Sequence, residues 1–165
     1  MLLAVDVSGS MANDNISNMS LTPREASAAL AMAIMRTEPN VDLIYFTTKV
    51  IMPEIGRRSS YDEVLKSMTI SGGTDCAVPF NFALSKGFNF DSIIVLTDNE
   101  TWHGENHPVQ AYNEYKKRNN PNAKSVVVGM VSTSFSLFPD SDTSALNVAG
   151  FDSAIPELIS NFIKE

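Results

Sequence analysis

The sequence predicts an α/β fold in which a mostly parallel sheet carries helices on both faces. Short apolar segments with the composition of buried strands alternate along the chain with segments that have helical spacing and capping residues. A helix between two strands returns the chain to the same end of the sheet, so the strands that it joins run parallel. Such sheets bind ligands beyond the carboxyl ends of their strands, where the strand order reverses.

The first strand and the first helix establish this pattern. Residues 2–7 form an apolar run that suits a central strand buried on both faces. A helix is predicted to begin after Thr22 as the capping residue, with Pro23 in the first position and Glu25 completing a capping box. Its apolar stripe consists of Ala26, Ala29, Leu30, Ala33 and Ile34.

An antiparallel strand pair and a short helix follow. Residues 41–47 and 50–55 both have strand composition. Because the link between them is too short for a crossover, they are expected to pair in an antiparallel manner, which places one antiparallel strand at the edge of the sheet. Ser60 and Glu63 form a second capping box, which starts a short helix that reaches Met68.

The second half of the chain continues the alternation. Asp75 is expected to cap a helix that ends before Gly87, a suitable residue for the left-handed position after a helix. Asp152 or Ser153 is expected to cap the last helix. The other predicted elements are a strand at 92–96, a helix at 108–118, a strand at 125–131 and a short edge strand at 148–149.

Length and composition indicate one globular domain over residues 1–165. The chain has 165 residues with 44% apolar and 19% charged residues, which is typical of a chain that buries a stable core. No apolar run is long enough to predict a membrane span. Because the first strand starts almost at Met1, we expect the domain to be cut from a longer chain.

The charge and the single cysteine restrict the function classes. A net charge of −7 argues against binding of a nucleic-acid backbone by this chain alone, since such affinity depends on lysine and arginine. The basic cluster at residues 116–118 ends a predicted helix, where it complements the helix dipole. Cys76 is the only cysteine, so no internal disulfide forms, which fits a reducing compartment.

Three polar side chains follow the first strand at a spacing of two residues. They are Asp6, Ser8 and Ser10 in the stretch DVSGS. Alternate residues of a strand point to one side, and a turn at Gly9 would allow the three oxygens to converge. A cluster of oxygen donors suits a hard divalent cation such as Mg²⁺.

Two later loops offer further oxygen donors. Thr74 lies in a Gly-Gly-Thr-Asp turn, and Asp98 follows the strand predicted at 92–96. Each loop alone is equally typical of helix caps and closed turns. The whole set, in this order and at this spacing, predicts one metal site of two carboxylates and three hydroxyls at the carboxyl ends of the strands.

These motifs resemble the von Willebrand factor A domain, whose metal ion-dependent adhesion site (MIDAS) uses D-x-S-x-S with a threonine and an aspartate from later loops. More narrowly, the chain is similar over essentially its whole length to the A domain of the Ro autoantigen (TROVE-domain) ribonucleoprotein family. The segments that carry the resemblance are Asp6-Val7-Ser8-Gly9-Ser10-Met11, Arg36-Thr37-Glu38, Gly73-Thr74-Asp75-Cys76, Thr97-Asp98-Asn99-Glu100-Thr101, His107-Pro108 and Gly150-Phe151-Asp152.

The resemblance implies a Rossmann-like fold and a metal-dependent binding module rather than an enzyme. By it, Ser8, Ser10 and Thr74 would ligate Mg²⁺ or Mn²⁺ through their hydroxyls, and Asp6 and Asp98 would act directly or through water. A carboxylate of a protein partner would be a final ligand. Proteins of this family bind small noncoding RNAs mainly through a region that this chain lacks, which implies a cytoplasmic protein without a membrane partner.

Two other functions remain open at this point. The first is an adhesion-type A domain that binds a protein carboxylate through the metal and has no connection with RNA. The second is a phosphotransfer enzyme or hydrolase with Asp6 as nucleophile, although Ser8 stands where the haloacid dehalogenase pattern has a second aspartate.

Several residues near the motifs have both a functional and a purely structural interpretation. Asp75 could support the site or cap a helix, and Glu100 could tune the site or be a solvated loop carboxylate. His103 and His107 have the spacing of a helical zinc pair, but a loop and a helix cap are favoured. Trp102 could contact a partner or pack within its loop. Cys76 is expected to be buried.

Overall fold

The computed structural model describes residues 1–13, 15–16, 19–98, 107–131 and 137–165. The described part contains six strands and five α-helices. In chain order these are β1 (Leu2–Asp6), α1 (Pro23–Thr37), β2 (Asp42–Phe46), β3 (Val50–Ile51), α2 (Tyr61–Ser67), α3 (Val78–Ser85), β4 (Ser92–Thr97), α4 (Pro108–Arg118), β5 (Lys124–Gly129), β6 (Ala145–Ala149) and α5 (Ile155–Lys164).

The strands form a single six-stranded sheet in the order β3-β2-β1-β4-β5-β6. The pairings β1–β2, β1–β4, β4–β5 and β5–β6 are parallel, and β2–β3 is antiparallel. The predicted doubly wound α/β fold with one antiparallel edge strand is therefore confirmed. Since β1 lies between β2 and β4, the strand order reverses between β1 and β4.

The sheet has an apolar layer on each face. The five residues of β1 are fully buried, as the apolar run predicted. Leu3 and Val5 pack in the layer that contains α1 and α5, whereas Leu2 and Ala4 pack in the layer that contains α3 and α4. Alternate residues of the same strand therefore supply opposite layers, which is the arrangement that a central strand of a doubly wound sheet requires.

Two helices begin as the sequence predicted. The Thr22 side chain accepts a hydrogen bond from the backbone N–H of Glu25, and the Glu25 carboxylate accepts one from the Thr22 backbone N–H at 2.8 Å. Ser60 and Glu63 form the same reciprocal pair at the start of α2. Both predicted capping boxes are confirmed.

The predicted caps of two other helices are wrong: Asp75 lies two residues before the cap of α3, and Asp152 or Ser153 lies one or two residues before the cap of α5. The residues before the first turns of α3 and α5 are Ala77 and Ala154. The Asp75 carboxylate accepts a hydrogen bond from the Ala77 N–H at 2.9 Å, and the Asp152 carboxylate accepts one from the Ala154 N–H at 2.7 Å. Each aspartate therefore closes a turn before its helix, because an aspartate side chain competes for nearby backbone N–H groups outside the helix as well as at its cap.

Strand lengths also depart from the predictions. β3 ends at Ile51 rather than at residue 55, and Pro53, which has no N–H to donate, follows closely. β5 ends at Gly129 rather than at residue 131. β6 covers five residues where only 148–149 were predicted. Its sequence is only weakly apolar, and the strand forms because all five residues pair with β5.

Candidate metal centre

The candidate site lies at the carboxyl ends of β1 and β4, where the strand order reverses. Asp6 is the last residue of β1, and Asp98 immediately follows the last residue of β4. Because β1 and β4 are parallel neighbours, their carboxyl ends meet at the same edge of the sheet. The fold therefore brings together two of the segments that the sequence singled out.

The Asp6 carboxylate is completely buried and accepts hydrogen bonds on both oxygens. Its Oδ1 accepts one from the Ser8 backbone N–H at 2.8 Å. Its Oδ2 accepts one from the Thr97 hydroxyl at 2.7 Å and a longer one from the Thr74 hydroxyl at 3.3 Å. Asp6 is thus the centre of a polar cluster drawn from three separate segments.

The two serines of the DVSGS stretch come together in a short turn. A 3-10 turn over Gly9–Ala12 follows β1, and it places the Ser8 and Ser10 hydroxyl oxygens 3.3 Å apart. Ser8 is buried, and Ser10 is exposed. The oxygens of these two serines therefore lie close together, and Ser10 is the member of the pair that faces solvent.

The loop that carries Thr74 is fixed against the end of β1 by backbone contacts. The Gly9 N–H donates to the Gly72 carbonyl at 3.0 Å, and the Ser71 N–H donates to the Val7 carbonyl at 3.0 Å. Gly72 has a φ of 72°, a left-handed conformation that favours glycine. These contacts hold Thr74 near Asp6, and the Thr74 side chain is almost fully buried.

Asp98 adds a second carboxylate at this edge. It is only 7% exposed, and its backbone carbonyl accepts a hydrogen bond from the Val131 N–H at 3.1 Å, which ties it to the end of β5. The charge of Asp98 is close enough to raise the pKa of Asp6. Ser8 and Thr74 thus donate hydrogen bonds to Asp6, Ser10 contacts Ser8, and Asp98 acts on Asp6 through its charge.

Burial dominates the electrostatics of Asp6. The pKa of this carboxyl is raised from 3.8 to about 6, chiefly by loss of solvent and to a smaller extent by the Asp98 charge, while hydrogen bonds from Thr97 and Ser8 oppose the rise. Among the described residues, Asp6 has no salt-bridge partner. Asp6 is therefore a buried carboxylate that no salt bridge within the described part of the chain compensates.

The donors at this site are all oxygens, which suits Mg²⁺ or Mn²⁺. Within the described ranges, no group of three or more histidine, cysteine, aspartate and glutamate side chains is arranged to hold a metal. The candidate site instead combines two carboxylates with three hydroxyls. The 3.3 Å between the Ser8 and Ser10 oxygens is near the roughly 3 Å expected between adjacent oxygen ligands of Mg²⁺.

Thr97 is the site residue that sequence reasoning did not assign. It is fully buried, and its hydroxyl makes the shortest of the side-chain hydrogen bonds to Asp6 given above. The available signal was its position as the last residue of a buried strand, where a valine or isoleucine would be the ordinary choice. A polar residue at such a place indicates that it has a specific partner.

The structure decides between the functional and structural interpretations for some of the neighbouring residues. Cys76 is buried, as expected, and burial raises the pKa of its thiol well above the usual range, so the thiolate is disfavoured. His107 caps α4 by accepting a hydrogen bond on Nδ1 from the Val109 N–H at 3.2 Å. The predictions for Glu100, Trp102 and His103 fall outside the described residues.

No helix in the described part of the chain is long and apolar enough to span a membrane. The basic residues 116–118 occupy the last turn of α4, as predicted.

Comparison with known proteins identifies the family. A family model described as the Ro60 vWA domain matches residues 1–163. The chain is 36% identical over 166 residues to the RNA-binding protein RO60 of Deinococcus radiodurans, and 34% identical over 168 residues to the RNA-binding protein RO60 of Caenorhabditis elegans. These alignments cover 99% and 98% of the chain but only 31% and 25% of the two relatives.

Solved structures agree with this assignment. The crystal structure of the Deinococcus radiodurans RO (RSR) protein matches with a TM-score of 0.88 and 35% identity, over 99% of this chain and 34% of that one. The protein BatB from Bacteroides thetaiotaomicron shares the fold, with a TM-score of 0.64 and 19% identity over 99% of this chain and 98% of that one. The chain belongs to the Ro60 vWA domain family.

Proposed function

We propose that this chain is a divalent-metal-dependent binding module of a Ro-like RNA-binding protein. The observation that carries the proposal is the buried Asp6 carboxylate, surrounded by hydroxyls from two other segments where the strand order reverses. A buried carboxylate without a cationic partner is costly unless another positive charge compensates it. A metal ion held by this oxygen cluster would supply that charge.

The five candidate residues would have different roles in binding the metal ion and the partner. Ser8, Ser10 and Thr74 would hold Mg²⁺ or Mn²⁺ through their hydroxyls, with Asp6 and Asp98 acting directly or through water. Once bound, the ion would supply a positive charge that accepts a carboxylate of a protein partner as final ligand. Since Ser10 is exposed whereas Asp6 is fully buried, the partner would approach from the side of Ser10.

RNA would be bound mainly by a part of the protein outside this chain. The two relatives named above are RNA-binding proteins, and this chain spans about a third or less of their length. With a net charge of −7, the chain alone is expected to bind a noncoding RNA weakly or not at all. A gel-shift titration at low salt checks this expectation, and a tight, salt-sensitive complex of the isolated chain would contradict it. A cytoplasmic location is part of the same proposal.

We also propose that the module is not an enzyme. Both carboxylate oxygens of Asp6 accept hydrogen bonds, and the side chain has no exposed surface from which to attack a phosphate ester. Hydrolysis of p-nitrophenyl phosphate above the uncatalysed rate, lost in Asp6→Asn, would contradict this part of the proposal.

Metal binding is tested by thermal unfolding in EDTA and in Mg²⁺, Mn²⁺ or Ca²⁺. A ligand at about 100 times its Kd adds roughly 2.7 kcal/mol to the free energy of unfolding. We expect Mg²⁺ and Mn²⁺ to raise the melting temperature of the parent chain. We expect Asp98→Ala to lose that rise, because it removes one of the two carboxylates.

Asp91→Ala is the matched control, since it removes an exposed carboxylate near the opposite end of β4. It should keep the full metal-dependent rise. An equal rise in the parent and in Asp98→Ala would place any bound metal elsewhere and would contradict the proposed site. The absence of any rise at millimolar metal would contradict metal binding by the chain on its own.

A further inference from the structure

A groove of about 840 Å³ lies along the edge of the sheet beside β2, away from the candidate metal centre. Its floor is the start of β2, one wall comes from β3 and the segment after it, and the other comes from α3 and the residues that follow it. The walls consist of Val50, Met52 and Ile55 on one side and Phe82, Lys86, Phe88 and Phe90 on the other.

The floor of the groove is a strand edge that β3 leaves uncovered. The ladder between β2 and β3 consists of the pairs Tyr45–Ile51 and Phe46–Val50, so the first three residues of β2 lie beyond the end of β3. Asp42 and Phe46 direct their backbone groups towards the first strand, since the Asp42 N–H donates to Met1 and the Phe46 carbonyl accepts from Val7. By alternation, Leu43 directs its N–H and carbonyl into the groove.

The lining favours an extended chain over a helix as the occupant. Leu43 packs in the apolar layer on one face of the sheet, and its neighbour Ile44 packs in the layer on the other face. A groove lined by residues of both layers runs along the edge of the sheet rather than over one face. A strand added at that edge meets both layers and the outward backbone groups of Leu43, whereas a helix leaves those backbone groups unpaired.

The rims expose apolar surface to this space. Met52 is 65% exposed and Phe88 is 43% exposed, and they stand on opposite walls. Large exposed apolar side chains that border one groove are typical of an interaction surface, whereas scattered ones are ordinary. Alternate side chains of an added strand would contact these two walls.

Besides the acidic Asp42 on its floor, the groove lining has one positively charged residue, Lys86. It follows the last residue of α3, and among the described residues it forms no salt bridge. The other residues of its wall, Phe82, Phe88 and Phe90, are apolar, so a partner carboxylate at this wall would be attracted to Lys86.

We propose that the uncovered edge of β2 binds an extended peptide strand with apolar side chains at alternate positions and a carboxylate that faces Lys86. The strand would pair with the backbone of Leu43 and continue the sheet beyond the end of β3. This surface is separate from the candidate metal centre, which lies at the carboxyl ends of the strands, and it would operate whether or not a metal is bound.

The test uses a phage-displayed library of random peptides of about seven residues, which extend over about 23 Å as a strand. Peptides selected on the 165-residue chain are synthesised and their Kd measured by fluorescence anisotropy. We expect selected sequences with alternating apolar residues and one aspartate or glutamate. Methylation of the backbone nitrogens on one edge of the peptide should abolish binding, and the bound peptide should slow hydrogen exchange at the Leu43 amide.

Variants of the groove distinguish strand addition from nonspecific hydrophobic binding. Met52→Glu and Lys86→Glu should each weaken binding about tenfold or more, and Lys86→Glu should prefer a peptide in which lysine replaces the acidic residue. Leu158→Glu is the matched control, because Leu158 is 45% exposed on α5, outside the groove, and the variant should bind as the parent does.

Several outcomes would overturn the proposal. These are a failure to select any peptide, binding that survives both Met52→Glu and backbone methylation, and selected peptides that bind as helices. Self-association of the chain that Met52→Glu abolishes would assign the groove to a second copy and would equally overturn it.

Discussion

Asp6→Asn is expected to raise the free energy of unfolding of the metal-free chain by about 3 kcal/mol at pH 7. Burial raises the pKa of this carboxyl from 3.8 to about 6, and each pKa unit corresponds to about 1.4 kcal/mol. Asparagine carries no charge, and its oxygen can still accept from the Ser8 N–H. Its NH₂ group can donate to the Thr97 hydroxyl, because a hydroxyl also accepts hydrogen bonds.

The pH dependence follows from the sign of the shift. The folded-state pKa of Asp6 lies above its unfolded value, so the stability linked to this group is fully present below about pH 4 and is lost as the pH rises through about 6. The difference in stability between Asp6→Asn and the parent should therefore be small near pH 3.5, grow between pH 4 and 6, and stay constant above pH 7.

Urea unfolding in EDTA across this pH range measures the effect. Taking the difference between the two proteins removes the contributions of all other titrating groups. In Mg²⁺ the parent should gain more stability than Asp6→Asn and become the more stable of the two, because only the parent keeps the full ligand set. The prediction fails if Asp6→Asn is less stable than the parent in EDTA at pH 7 and the two proteins show the same pH dependence. That result would contradict the inference that the ionised Asp6 carboxylate lowers the stability of the folded chain.

The proposed metal site would give a physical reason for a buried carboxylate at the end of β1. A chain selected only for stability would place an amide or an apolar residue at the end of β1. Buried charges without a cationic partner concentrate at sites that bind ions or ligands, and such sites lower the stability of the protein. Asp6 and Asp98, which form no salt bridge with the described residues, lie where the strand order reverses and fit that pattern.

The fold was predictable because local signals agreed with the global arrangement. The apolar run of β1 indicated burial on both faces, and the capping boxes at Thr22 and Ser60 fixed the starts of α1 and α2. The short link between β2 and β3 required an antiparallel pair. The end of β3 and the length of β6 were not predictable, because they depend on partners across the sheet rather than on local composition.

The candidate site was predictable to the extent that its residues follow strand ends. Asp6, Ser8 and Asp98 lie there, and parallel strands bring their carboxyl ends together. The roles of Thr97 and Gly72 were not predictable, because they rest on contacts with residues distant in sequence, Asp6 and Gly9. Such contacts appear only once the register of the strands is known.

Phe80→Ala is expected to cost about 3–5 kcal/mol, the range for removal of a buried aromatic ring. Phe80 is fully buried in the layer between the sheet and α4. Its ring centroid lies 5.5 Å from that of Tyr112 and 6.2 Å from that of Phe138. Without Phe80, the Tyr112 and Phe138 rings are still held by their mutual contact, with centroids 5.2 Å apart, and by the Tyr112 hydrogen bond to the Ala123 carbonyl, so they close the cavity incompletely. Urea unfolding measures the loss.

Phe88→Ala is the matched control, because it removes the same ring from a 43% exposed position and should cost less than about 1 kcal/mol. Equal losses in the two variants would contradict the assignment of Phe80 to the core. The metal-dependent rise in stability should survive in Phe80→Ala, since backbone contacts of Gly9 and Ser71 fix the loop that carries Thr74. Loss of that rise would show instead that the position of Thr74 depends on the packing of α3 against α4.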